Sequence, residues 1–73
     1  MDRCFEVLKD TIESETLWCI ESINEKYPEN EQIPLDISLR DYVGRFNHVD
    51  PYDRGMLFAY LSCRDKVDVL SKV

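Results

Sequence analysis

The stretch DPYDRGMLFAYLSC, residues 50–63, decides the fold because it starts a helix and makes that helix apolar on several sides. Asp50 and Pro51 suit the N-cap and the first helical position, and Asp53 places an acidic residue in the first turn. A helix that is apolar nearly all round has to be covered by other elements. The sequence therefore predicts a helix over residues 50–72 as the third and central helix of an all-α bundle.

Length and composition favour one small helical domain. The chain has 73 residues, 44% of them apolar, with only two glycines and three prolines to interrupt helices. A single core of this size supplies little net stability, so partner binding or self-association is a natural supplement. The prediction is one domain over residues 1–73, an all-α bundle of three helices.

The first helix is predicted over residues 2–26, from Asp2 as N-cap to the residues before Pro28, whose ring disfavours helix in the residue ahead of it. A break at residues 14–16 would divide it and give the bundle four helices. Helical spacing places these residues on the predicted core face: Phe5, Leu8, Ile12, Cys19 and Ile23. A second apolar stripe adjoins it: Cys4, Val7 and Trp18.

Residues 27–37 are predicted to connect the first helix to a short helix over residues 38–47. Ser38 and Asp41 have the spacing of a capping box, and Gly44 weakens the helix that follows. An alternating pattern within this region resembles a strand, but an isolated strand would need another chain to pair with. The alternating residues are Ile33, Leu35, Ile37 and Leu39.

The third helix carries two predicted apolar faces, which together leave more apolar surface than the other helices can cover. We expect the remainder to be either the interior of the bundle or a protein interface. The first face comprises Tyr52, Met56, Tyr60, Cys63, Val67 and Leu70. The second comprises Leu57, Phe58, Leu61 and Val69.

The net charge of −6 restricts the class of partner. An acidic chain repels nucleic acid and anionic lipid and attracts basic protein surfaces. Spanning a bilayer takes about 20 apolar residues, and no run approaches that length; acidic residues also occupy the start of the chain, where a signal peptide would be apolar. We therefore expect a cytoplasmic protein with a basic protein partner and no direct contact with nucleic acid or membrane.

One face of the first helix is the candidate partner-binding site. Its carboxylates recur every three to four residues or after two turns, so they lie in line along the helix. Leu17 lies in the middle of this line, and Trp18 lies next to Leu17 at the edge of the predicted core face, where an aromatic ring could anchor a partner. The predicted site residues are Glu6, Asp10, Glu13, Leu17, Trp18 and Glu21. The alternative is a solvated surface with no partner.

No residue pattern indicates catalysis, a metal or a cofactor. Cys4, Cys19 and Cys63 form no C-x-x-C pair and are expected to be small buried apolar side chains. His48 is the only histidine, and we expect it to hydrogen-bond locally within its loop. The expected function is non-enzymatic: a binding module that regulates or inhibits a larger protein by masking its basic surface. The alternative is a homodimer or assembly subunit that uses the surplus apolar helix surface.

Overall fold

The computed structural model describes residues 3–71, and it confirms the all-α class. Three α-helices account for most of these residues, and no strand occurs among them. The helices are α1 (Arg3–Asn24), α2 (Leu39–Tyr42) and α3 (Pro51–Ser71), with a 3₁₀ turn at Glu29–Glu31. Neither long helix breaks. The predicted N-cap Asp2 and the predicted helix end at residue 72 lie outside the described residues.

The two long helices, α1 and α3, run antiparallel. At one end, Lys26 Nζ lies 2.9 Å from Asp53 Oδ2, which joins the residues after α1 to the first turn of α3. Toward the other end, Ile12 lines the same groove as Val67. The molecule is consequently elongated, with extents of 41 × 21 × 19 Å.

The buried core occupies the end of the molecule where α1 stops and α3 starts. It combines the last turns of α1, the connection, α2 and the first half of α3. Its buried members are Cys19, Ile20, Ile23, Ile33, Ile37, Tyr42, Val49, Leu57 and Leu61. The far ends of α1 and α3 extend beyond this cluster, so their outer apolar side chains face solvent.

The predicted core face of α1 is correct at only one end. Cys19 and Ile23 are buried, whereas Leu8 is 51% exposed and the stripe of Cys4, Val7 and Trp18 faces solvent. Within the described part of the chain, the first half of α1 packs against little other than α3. Fewer of its apolar side chains are therefore buried than helical spacing predicts.

The structure covers part of the two apolar faces predicted for α3 and leaves the rest exposed. The face that packs into the core follows Leu57 and Leu61, both fully buried, and continues to Val67. Tyr52 is 77% exposed and Leu70 is 61% exposed, so part of the first predicted face is left uncovered. Phe58, Cys63 and Val69 are exposed as well.

The helix starts agree with the predicted capping residues. The Asp41 amide donates to Ser38 Oγ at 3.1 Å, and the Tyr52 amide donates to Asp50 Oδ1 at 2.8 Å. However, α2 ends at Tyr42, five residues before the predicted end. Gly44 has φ +81°, a left-handed conformation that glycine adopts without steric cost and that stops the helix there.

Tyr42 connects α2 to α3 by a hydrogen bond from inside the core. Its ring is buried, and its hydroxyl donates to the Arg54 carbonyl at 2.9 Å. Burial raises the pKa of the Tyr42 hydroxyl, with Arg54 opposing the shift and the Cys19 and Asp53 charges adding to it. The neutral hydroxyl is therefore the form that the fold favours.

We expect stability to fall in alkaline solution. The pKa values of three groups are raised: Tyr42, the Cys19 thiol through burial, and Lys26 chiefly through its hydrogen bond to Asp53. Each group then holds its proton more tightly when folded, so its contribution is complete below its unfolded pKa and is lost as pH rises through the folded value. Urea titrations between about pH 7 and pH 11 should show a decline that starts near pH 8.5–10.

The matched variant is Tyr42→Phe, which removes the hydroxyl and keeps the ring. At pH 7 it should lower the free energy of unfolding by about 1 kcal/mol. Between pH 9 and pH 11 its stability should fall less steeply than that of the wild type. An identical slope in both proteins would exclude Tyr42 from the alkaline effect.

Candidate partner-binding surface on α1

The structure places all six predicted site residues on the exposed surface of α1. The four carboxylates of Glu6, Asp10, Glu13 and Glu21 face solvent. At a rise of about 1.5 Å per residue, the line from Glu6 to Glu21 is roughly 22 Å long. We call this line, with Leu17 and Trp18, the acidic face.

The carboxylates of the acidic face form no ion pair with any residue between 3 and 71. Lys9, a lysine of α1, is half-buried and lines a groove between α1 and α3 together with Glu13, with which it forms no ion pair. The negative charge of the face is therefore not compensated by the described cations. A basic partner could pair with these carboxylates without first breaking an ion pair within the protein.

The apolar members of the face are also available for contact. Leu17 is 41% exposed and Trp18 is 58% exposed. Ser14 and Glu15 form a shallow depression with Trp18. A tryptophan in this position supplies apolar area beside a row of charges, as aromatic anchors at interfaces do.

A second candidate region is a groove of about 280 Å³ between α1 and α3, which sequence reasoning missed because its residues come from separate segments. Arg64 lines it and donates a hydrogen bond to the Ile37 carbonyl. Its charges are mixed in sign, and it contains no histidine or cysteine. The charged residues of this groove are Lys9, Glu13, Asp36, Arg64, Asp65 and Asp68. This composition gives no specific ligand preference.

The cysteines and the histidine between residues 3 and 71 lie in different surroundings. Burial, with the Asp53 charge adding to it, raises the pKa of the Cys19 thiol and disfavours the reactive thiolate. Cys4 and Cys63 are exposed, which corrects the expectation that all three cysteines are buried. His48 Nε2 donates to the Glu31 carbonyl at 2.9 Å, so it joins its loop to the connection after α1 and does not bond within its own loop as expected.

No group of three or more histidine, cysteine, aspartate or glutamate side chains within the described range is arranged to hold a metal ion. Within the same range, no helix combines the length and apolar character that crossing a bilayer requires.

Comparison with protein-family models, with curated protein sequences and with solved structures finds no match to this chain.

Proposed function

We propose that this protein is a non-enzymatic binding module that docks its acidic face on a basic surface of a larger protein and so masks that surface. The observation that carries the proposal is the solvent-facing line of four carboxylates with no described ion pair, beside the exposed Leu17 and Trp18. The proposal includes a cytoplasmic setting, regulation or inhibition of the masked protein, and a bundle in which α3 is central. Contacts of α3 with both α1 and α2 support that last element.

Charges and apolar side chains have different roles in this docking. Exposed ion pairs contribute about 0.2–1 kcal/mol each, so the carboxylates mainly accelerate and orient the encounter. Leu17 and Trp18 would lose their solvent contact on binding and supply the apolar contribution. We therefore expect the surface of the larger protein to combine lysine or arginine side chains with an apolar depression. The basic part of such a surface would normally receive phosphate groups.

The test is an affinity measurement with a defined basic probe, a synthetic amphipathic helical peptide with arginines on one face and leucines on the other. The variant E6Q/D10N/E13Q/E21Q should bind this peptide at least about tenfold more weakly than the wild type. Its control, E29Q/E31Q/D36N/D41N, removes four exposed carboxylates outside α1 and changes the net charge equally. Equal losses in both variants would show that net charge alone attracts the peptide.

Trp18 gives this experiment a local reporter because it is the only tryptophan in the chain. Burial of its exposed ring should shift the fluorescence emission to shorter wavelength as the peptide is added. The shift should saturate at low salt and weaken at high salt, since screening reduces the attraction between exposed charges. Peptide binding without any change in Trp18 emission would remove Trp18 from the docking surface.

A further inference from the structure

A depression between the end of α2 and the first turns of α3 is lined by basic and uncharged residues. Its volume is about 240 Å³, and none of the described residues that line it is acidic. Arg45 and Arg54 supply two positive charges. The uncharged lining residues are Tyr42, Val43, Gly44, Asn47, Gly55 and Phe58. We call this site the arginine depression.

Arg54 is a half-buried cation that pairs with no carboxylate between residues 3 and 71. Its Nη1 donates to the neutral Asn47 Oδ1 at 3.3 Å, and its buried Nε has no acceptor within the same range. Because Nε is closed to solvent, the terminal nitrogens of the guanidinium are the groups that a ligand would contact. A guanidinium that has lost part of its hydration is stabilised by a bound anion. Arg54 therefore favours an anion in the arginine depression.

Arg45 adds a second charge that is also free of any described carboxylate. Its Cζ lies 5.4 Å from the centroid of the Phe46 ring, in cation–π contact. Stacking occupies the face of a guanidinium and leaves the N–H donors at its edge available to a ligand.

The net charge of −6 is not spread evenly along the chain. Residues 37–64 include every residue of the arginine depression, and they carry four arginines and three aspartates. One of these aspartates, Asp53, is paired with Lys26. Because exposed charges farther away than about 10 Å are largely screened at ordinary salt, the local excess of arginine outweighs the distant carboxylates of α1.

We propose that the arginine depression binds a small phosphate monoester that carries an apolar or aryl group. A phosphate monoester has a charge of about −1.5 to −2 at pH 7, which two arginines match more closely than the single charge of a carboxylate. Arginine also binds phosphate oxygens through parallel N–H donors. Val43 and Phe58 are 57% and 48% exposed, and they would contact the apolar group of the ligand.

This binding does not depend on the proposed function, because no residue of the acidic face lines the arginine depression. The test is an NMR titration of the isotope-labelled full chain with phenyl phosphate. The amides that shift should cluster at residues 42–47 and 54–58, with a Kd of about 1 mM or lower. Inorganic phosphate lacks the ring and benzoate has a single charge, so each should bind at least about threefold more weakly. No saturation by about 20 mM phenyl phosphate, or equal affinity for benzoate, would overturn the proposal.

The charge requirement is tested with Arg54→Gln, which should weaken phenyl phosphate binding at least about tenfold. The matched control is Arg40→Gln, which removes the same charge from an exposed arginine of α2 that does not line the depression. Its affinity should stay within about twofold of the wild type. Equal losses in the two variants would show that net charge alone attracts the ligand and would contradict the site.

Gly55→Leu tests the depression without changing any charge. A Cβ added at Gly55 meets no atom within 4 Å, and leucine favours a helix more than glycine does. The variant should therefore fold at least as stably as the wild type, which circular dichroism checks. Its side chain should fill part of the depression and weaken phenyl phosphate binding at least about tenfold. Wild-type affinity in Gly55→Leu would place the ligand elsewhere and overturn the proposal.

Discussion

Replacing Leu57 by alanine should lower the free energy of unfolding by about 2–5 kcal/mol. The Leu57 side chain is fully buried within the cluster that α1, α3 and the connection form together. Its removal takes away apolar contact and leaves a cavity that the surrounding side chains fill only in part. A domain of this length has a total stability of about 4–11 kcal/mol, so the loss is a large fraction of the whole. Urea denaturation followed by circular dichroism measures it.

The matched control is Leu8→Ala, the same change at a residue that helical spacing assigns to the core but the structure leaves 51% exposed. This change should lower the free energy of unfolding by well below about 1 kcal/mol. Similar costs for the Leu8 and Leu57 variants would place the core along the full length of α1 and contradict the fold described above.

Replacing Asn24 by alanine is expected to lower the free energy of unfolding by about 2–4 kcal/mol. The Asn24 side chain fixes the connection to the end of α1 with two hydrogen bonds. Its Oδ1 accepts from the Ile33 amide at 2.8 Å, and its Nδ2 donates to the Ile33 carbonyl at 2.9 Å. Ile33 is itself buried, so both backbone groups would lose their partner away from free solvent. Urea denaturation of the variant gives the value.

Asn24→Asp separates the two hydrogen bonds. Aspartate can still accept from the Ile33 amide, but its carboxylate cannot donate and meets the Ile33 carbonyl instead. At pH 7 we expect this variant to be nearly as unstable as Asn24→Ala. Wild-type stability in Asn24→Asp would mean that the bond to the carbonyl contributes nothing.

The helices could be predicted because their signals are local. Asp50 and Ser38 accept the amide hydrogen bonds expected of N-caps, and α1 ends before Pro28. The predicted end of α2, at residue 47, lies five residues beyond the observed end at Tyr42. It depends on the left-handed backbone at Gly44, continued by Phe46 with φ +60°, and the helical spacing of apolar residues does not encode that geometry.

The core could not be located from helical spacing alone. Thr16 is fully buried, although it is polar, because its hydroxyl donates to the Ile12 carbonyl at 2.6 Å within α1. Ile33 and Ile37 are buried in the connection without any strand pairing, since Asn24 satisfies the Ile33 backbone. The contact between Asn24 and Ile33 joins separate segments, and no local pattern predicts it.

The candidate site illustrates a similar limit. Helical spacing predicted which carboxylates share one face of α1, and the structure places them in solvent together with Leu17 and Trp18. The sequence also predicts apolar faces on α3 that the other helices cannot fully cover, and Tyr52 and Leu70 belong to one of them. Which of these side chains are exposed depends on where the core lies, and the structure leaves Tyr52 and Leu70 in solvent. That the acidic face binds a partner stays a prediction.

The most direct test of this prediction is an NMR titration of the isotope-labelled protein with the basic amphipathic peptide. If the acidic face is the docking surface, the amide and side-chain signals that shift should cluster between Glu6 and Glu21 on α1 and include the Trp18 indole. Signals from α2 and from the exposed residues of α3 should stay in place. Shifts spread evenly over the surface, or concentrated on α3, would contradict a docking surface on α1.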